Sequence, residues 1–128
     1  MKILFSILIL FHTVSFVNAQ QITVKNVNPT EFKKLIGTND GILLDVRTFY
    51  EFENEHIEGA DQLNYYAFSF TKNLLLLPKD KPIYVYCLTG YRSGKASEIL
   101  IENGYKNVYN LKYGIKDWES KKYPTVSN

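Results

Sequence analysis

Cysteine is all but missing from this chain. Cys87 is the single one among 128 residues, so no disulfide can form within the chain. Histidine is scarce as well, with only His12 and His56. Charge of one sign is also lacking: 15 Lys and Arg face 13 Asp and Glu, for a formal net charge of +2. The lysines are scattered and form no basic block, which gives no support to nucleic-acid binding. No segment repeats, and there is no low-complexity tract or linker. A membrane anchor is the competing reading of the apolar start of the chain. The apolar stretch over 3–17 falls short of the roughly 20 residues a span needs, and His12 and Thr13 interrupt it.

That stretch has another use. Lys2 supplies a positive start, residues 3–17 are mostly apolar, and Val17-Asn18-Ala19 offers small residues ahead of Gln20. This is the layout of a secretory signal peptide. Residues 1–19 are expected to be cleaved, and the mature protein to be exported, periplasmic or secreted, and free of the membrane. No cysteine follows the cut to carry a lipid. Residues 20–128 suffice for a single domain with one core. Exported proteins usually use cysteines in pairs, so the solitary Cys87 is an inert packed thiol, an intermolecular cross-link or a reactive group.

Strand and helix patterns alternate along the domain. A short strand is expected over 22–24. Asn28-Pro29-Thr30-Glu31 joins a cap, a proline at the first helical position and a glutamate three residues after the cap; Gly37 closes that helix. Residues 41–45 are an apolar run ending in Asp45, as in a strand buried on both faces. Thr48 and Glu51 have capping-box spacing for a helix over 49–54. A strand over 62–64, a helix over 71–77 stopped by Pro78, and a strand over 82–86 follow. A helix over 93–103, a strand over 107–110 and a helix over 115–121 complete the series. The alternation specifies an α/β fold with five strands, mostly parallel, and helices on both faces. Ligands in such sheets gather at the carboxyl ends of the strands. Cys87 stands at one such end and Asp45-Val46-Arg47 at another.

The chain after Cys87 reads Leu88-Thr89-Gly90-Tyr91-Arg92-Ser93. A segment that leaves a strand and curls into a helix start points several backbone N–H groups into a small concavity, a natural anion site. Gly90 opens backbone conformations closed to other residues. A sulfur at the centre of this ring would be held as thiolate. A helix terminus contributes about 0.3–1 kcal/mol to an adjacent anion, up to ~2 when partly buried. A guanidinium about 4 Å away adds a few more at an effective dielectric of roughly 20. Amides and Arg92 therefore suffice without a general base, and His56 reads as a turn or surface residue. Acyl transfer usually needs a proton delivered to the leaving group. Sulfur transfer does not, because a thiosulfate-like donor releases an anion.

Three segments carry a family likeness. They are Leu44-Asp45-Val46-Arg47 with Glu51-Phe52 and His56-Ile57-Glu58-Gly59-Ala60; the loop 87–93 with its Cys-x-x-Gly-x-Arg core; and Asn107-Val108-Tyr109-Asn110-Leu111 leading to Gly114 and Trp118. In these the chain resembles the rhodanese (thiosulfate sulfurtransferase) family in its single-domain form. The resemblance implies a five-stranded parallel sheet, a persulfide intermediate on Cys87, and a cradle of main-chain amides over Leu88, Thr89, Gly90, Tyr91 and Arg92. It also implies a small sulfur donor, a thiol or cyanide acceptor or an exported protein acceptor, and neither cofactor nor metal. Asp45, Arg47 and Ser93 are expected in support, the first two as a structural pair between strand end and loop.

The chain departs from the family pattern in places. Leu88 stands where many thiosulfate-using members carry a basic residue, which weakens the expected grip on a doubly charged donor. Tyr113-Gly114 replaces paired glycines, and Glu55 replaces a glycine before His56. Tyr65, Tyr66, Phe68 and Phe70 either line a pocket beside the sulfur or fill half-buried core, and Trp118 is expected in the core. Two other functions compete. A carrier or partner-binding module would keep the cysteine without turnover of its own. A phosphatase or arsenate reductase on the same fold would have five residues between Cys and Arg, whereas four separate them here.

Overall fold

The computed structural model describes residues 2–3, 9–16 and 20–128. The cleavage site expected at 17–19 lies outside them. Among the described residues, no helix is long and apolar enough to cross a membrane.

From Lys25 onward the elements alternate: β1 Lys25–Val27, α1 Pro29–Ile36, β2 Ile42–Asp45, α2 Phe49–Asn54, β3 Asp61–Gln62, α3 Phe70–Leu74, β4 Ile83–Tyr86, α4 Tyr91–Glu102, β5 Val108–Leu111 and α5 Gly114–Ser120. The strands form one five-stranded sheet in the order β1-β5-β4-β2-β3. Every pairing is parallel, as expected when each strand returns through a helical crossover.

Strand periodicity divides the core in two. Ile83 and Val85 of β4, followed by Cys87, face the side covered by α3 and α4, where Leu74, Ala96 and Leu100 pack. Tyr84 and Tyr86 face the other side, with Phe32 of α1 and Ile115 and Trp118 of α5. Phe32 meets Tyr84, Tyr86 and Trp118 edge-on at centroid distances of 6.3, 6.5 and 6.3 Å, the arrangement ring quadrupoles favour. β4 is buried on both faces and lies centrally in the sheet, so the residue after it emerges at the middle of the carboxyl edge.

Local signals act as their chemistry requires. The Asn28 side chain accepts the Glu31 N–H at 2.9 Å, and Thr48 and Glu51 form a reciprocal capping box. Four expectations shift. The first strand lies over Lys25–Val27 rather than 22–24, because an edge strand is defined by its pairing: Lys25, Asn26 and Val27 lie opposite Tyr109, Asn110 and Leu111. The third strand is Asp61–Gln62 rather than 62–64, and beyond it Leu63 and Tyr65 donate to the carbonyls of Asp45 and Val46. The helix expected to reach residue 77 ends at Leu74, where Leu76 and Leu77 tighten onto carbonyls three residues back. The helix expected over 93–103 begins at Tyr91.

The chain after α5 folds back over α2. Trp118 Nε1 donates to the Pro124 carbonyl at 3.0 Å. His56 and Val126 exchange two backbone N–H···O bonds of 2.8 Å, and the Asn128 N–H reaches the Glu53 carbonyl.

Candidate active site

Cys87 follows the last residue of β4, and its side chain is almost closed off, at 1% exposure. The sulfur is not idle in the core. Its Sγ accepts the Gly90 N–H at 3.1 Å and the Ser93 hydroxyl at 3.2 Å. Carbonyls on the same segment turn the opposite way: Cys87 O accepts from Ile115 N at 2.9 Å and Leu88 O from Lys116 N at 3.2 Å, both at the start of α5. Among the described residues, none accepts from the backbone N–H of Leu88, Thr89, Tyr91, Arg92 or Ser93. Two donors, the Gly90 N–H and the Ser93 hydroxyl, therefore meet the thiol, while the Cys87 and Leu88 carbonyls are engaged by α5. Successive unpaired N–H groups of this kind can form an anion-binding concavity.

Two glycines make the loop possible. Gly90 has φ 101°, and a Cβ there would strike the Lys112 carbonyl. Gly114 has φ 72°, and a Cβ there would strike the Leu88 carbonyl. The β4–α4 turn and the β5–α5 turn thus pack backbone against backbone.

Because α4 begins at Tyr91, Tyr91 and Arg92 occupy its first turn. Tyr91 is exposed and Thr89 likewise, while Leu88 is half-buried against the Trp118 side of the core. Ser93 is fully buried and directed at the sulfur. Arg92 turns to α2 and forms a two-pronged pair with Glu51, 2.9 Å from Nη1 to Oε1 and 3.0 Å from Nη2 to Oε2. Its guanidinium also lies 5.5 Å from the Tyr66 ring centroid. The Arg92 hydrogen bonds, reinforced by charge, hold the Glu51 carboxyl down at about 2, and Glu51 in turn raises the guanidinium above its ordinary value.

Glu51 is the residue that sequence reasoning under-read. Its capping-box spacing is visible, but its pairing with Arg92 joins positions 41 apart, and no local pattern announces it.

Asp45 and Arg47 lie deeper. Arg47 Nη2 stands 2.8 Å from Asp45 Oδ2, Nε reaches both carboxylate oxygens at 3.1 Å, and Nη2 also donates to the Glu55 carbonyl at 2.6 Å. Arg47 is 2% exposed and Asp45 is fully buried. Burial works against the charge on Arg47, yet the Asp45 contact outweighs it and raises the guanidinium. The pair ties the end of β2 to the end of α2. Tyr86 packs below Arg47, its phenol pushed up by burial and accepting the Ile57 N–H at 3.0 Å.

His56 is not a surface residue. It is 7% exposed, stacked on Phe52 at 3.8 Å, with Nδ1 2.7 Å from the Phe52 carbonyl. The returning C-terminal tail covers it, which a local reading of a Gly-Ala turn could not reveal. Of the aromatic run, Phe70 is core, Tyr65 is half-buried, and Tyr66 and Phe68 are exposed. Among the described residues, no three His, Cys, Asp or Glu side chains gather as a metal site needs.

A profile of the Rhodanese-like domain matches residues 28–121. The chain belongs to the rhodanese-like family. Its relatives include the uncharacterized protein YqhL of Bacillus subtilis, 38% identical over 119 residues that cover 93% of this chain and 90% of that one. They also include the tRNA uridine(34) hydroxylase of Acinetobacter baumannii (strain AYE), 36% identical over 93 residues. That match covers 70% of this chain, which spans only 30% of the hydroxylase. Among solved structures, a rhodanese-related protein from Thermoplasma volcanium superposes with TM-score 0.72 at 26% identity, covering 81% of this chain and 99% of the other. A rhodanese-like domain protein from Staphylococcus aureus gives TM-score 0.64 at 29% identity, covering 73% of this chain and 90% of the other. This rhodanese-like domain therefore carries its cysteine loop on the five-stranded parallel sheet shared with its neighbours.

Proposed function

We propose that the protein is a sulfurtransferase. The Cys87 thiolate attacks the outer sulfur of a sulfane-sulfur donor, the donor's S–S bond breaks, and its electron pair leaves with an anion such as sulfite or a thiolate. A thiophilic acceptor, a thiol, cyanide or a protein cysteine, then attacks the outer sulfur of the Cys87 persulfide; that S–S bond breaks and its electron pair returns to Cys87 as the thiolate. Neither half-reaction needs an oxidant, a reductant or a proton carrier.

One observation carries this reading: the sulfur is met by Gly90 N–H and Ser93 Oγ while five neighbouring N–H groups have no acceptor among the described residues. Those donors suit the outer sulfur of a persulfide. His56, the histidine within the domain, is held by Phe52, in keeping with chemistry that dispenses with a base. Cys87→Ala is expected to abolish sulfur transfer from thiosulfate to cyanide while leaving the circular dichroism spectrum and melting temperature near those of the parent; transfer at the parental rate would refute the assignment.

A carrier with little turnover is the second reading, and the nearly closed sulfur, at 1% exposure, favours it over a broad substrate cleft. Mass spectrometry separates the two, since a carrier acquires one stable sulfur on Cys87 without multiple turnovers. The hydroxylation that names the tRNA-modifying relatives belongs to much longer proteins and is not carried over. The reading includes export, with residues 1–19 as the leader. An intact mass starting at Gln20, for protein recovered outside the cytoplasm, is the expected result; a full-length mass there contradicts it.

A further inference from the structure

The charges around the mouth identify the donor more narrowly than the fold does. Two guanidiniums stand at the carboxyl edge near the cysteine loop, and both are engaged: Arg47 by Asp45 and Arg92 by Glu51, each through two-pronged contacts. A paired guanidinium presents little net charge to a third ion. Within the loop itself, Leu88 contributes an aliphatic side chain and Thr89 a hydroxyl. Three lysines start near the loop: Lys116, whose backbone N–H holds the Leu88 carbonyl, and two others that are each drawn to a rim tyrosine. Lys95 Nζ lies 5.8 Å from the Tyr91 ring centroid and 3.6 Å from a Glu98 oxygen, and Lys112 Nζ lies 5.2 Å from the Tyr113 ring centroid.

The carboxyl edge of the sheet is rich in exposed aromatic rings. Beyond residue 20, the exposed large aromatic side chains are Phe49, Tyr50, Tyr66, Phe68, Tyr91 and Tyr113. Every one follows the carboxyl end of a strand: β2 for the first two, β3 for the next two, β4 for Tyr91 and β5 for Tyr113. No exposed aromatic lies at the opposite edge of the sheet among the described residues of the domain. Surface aromatics scattered over a protein need no explanation, but a set confined to one edge marks a binding face. Apolar rings above a nest of N–H donors suit a molecule with an uncharged, apolar body and one reactive sulfur at its tip.

We propose that the sulfur donor of this site is an organic persulfide, R–S–S–H with an apolar R group, in preference to a dianion such as thiosulfate. This rests on the sulfurtransferase reading and names the donor within it. The Cys87 thiolate attacks the terminal sulfur of R–S–S–H, and the donor's S–S bond breaks. The electron pair departs with R–S⁻, while the proton remains with the transferred sulfur, giving Cys87–S–S–H. The aromatic rim holds R, and the loop N–H groups receive the sulfur.

The test compares kcat/KM for benzyl persulfide and for thiosulfate with the same acceptor. The ratio is expected to be about tenfold in favour of the persulfide, and a ratio at or below one overturns the proposal. Leu88→Arg adds an unpaired cation and should shift the ratio about tenfold toward thiosulfate. Because Leu88 is half-buried, Thr89→Lys at the exposed neighbouring position makes the same measurement without touching the core, with a several-fold shift expected. A ratio unmoved in the folded variants counts against the proposal. Tyr66→Ala should move the ratio the same way by raising KM for the persulfide, and an unchanged persulfide KM removes the rim from the argument and overturns its part in recognition. Mass spectrometry of Cys87 keeps the two levels apart. Sulfur added equally well by thiosulfate defeats the donor preference alone, whereas no added sulfur from either donor defeats the sulfurtransferase reading beneath it.

Discussion

Arg47 and Arg92 stand at the same edge of the same sheet, each gripped by a carboxylate, and they do different work. The Asp45–Arg47 pair joins residues two apart, with side chains 0% and 2% exposed. The Glu51–Arg92 pair joins residues 41 apart, with side chains 26% and 11% exposed. Out of water, a paired charge has no alternative partner, so losing its mate strands it. Near the surface, solvent takes up much of the loss. The deep pair therefore fastens the frame, and the shallow one sets how Arg92 is aimed and how much of its charge reaches the mouth.

That contrast can be broken directly. Asp45→Asn keeps the shape of the side chain and leaves the Arg47 charge uncompensated, so we expect a loss of about 3–5 kcal/mol of unfolding free energy by urea denaturation. A loss below 1 kcal/mol would show that Arg47 reaches water or another acceptor. Glu51→Gln retains a residue able to complete the capping box, which isolates the ion pair, and the expected loss is about 0.5–1 kcal/mol. The smallest effect is one of pH. The Glu51 carboxyl is held at about 2 by Arg92, below its ordinary 4.5. A depressed carboxyl adds stability that is fully present above the unfolded value and disappears on acidification through the folded one. The stability difference between parent and Glu51→Gln should thus be constant above about pH 4.5 and shrink toward zero by about pH 2. A difference that persists to the acid limit would mean that the glutamate acts through packing and not through charge.

The same contrast explains what could be seen in the sequence. Asp45 and Arg47 are neighbours on the chain, so their pairing is a local inference. The two N-caps, the buried run of β2 and the order of strands and helices are likewise written in short windows, where periodicity and turn chemistry act. The cysteine loop is legible because one strand, one glycine and one helix start suffice to build it. Glu51's grip on Arg92 is not local, nor is the covering of His56 by Val126, and spacing carries no trace of either. The edge strands slipped for a related reason: β1 and β3 take their limits from the strands beside them, β5 and β2, not from their own composition. The early start of α4 follows from Gly90, whose left-handed turn lets helical geometry begin at the next residue.

The returning tail has a practical side. Val126 is stitched to His56 and Asn128 to Glu53, so the last residues lie against the short helix that carries Glu51. Any polypeptide joined after Asn128 therefore leaves the molecule beside that helix, on the same side as the residue that grips Arg92.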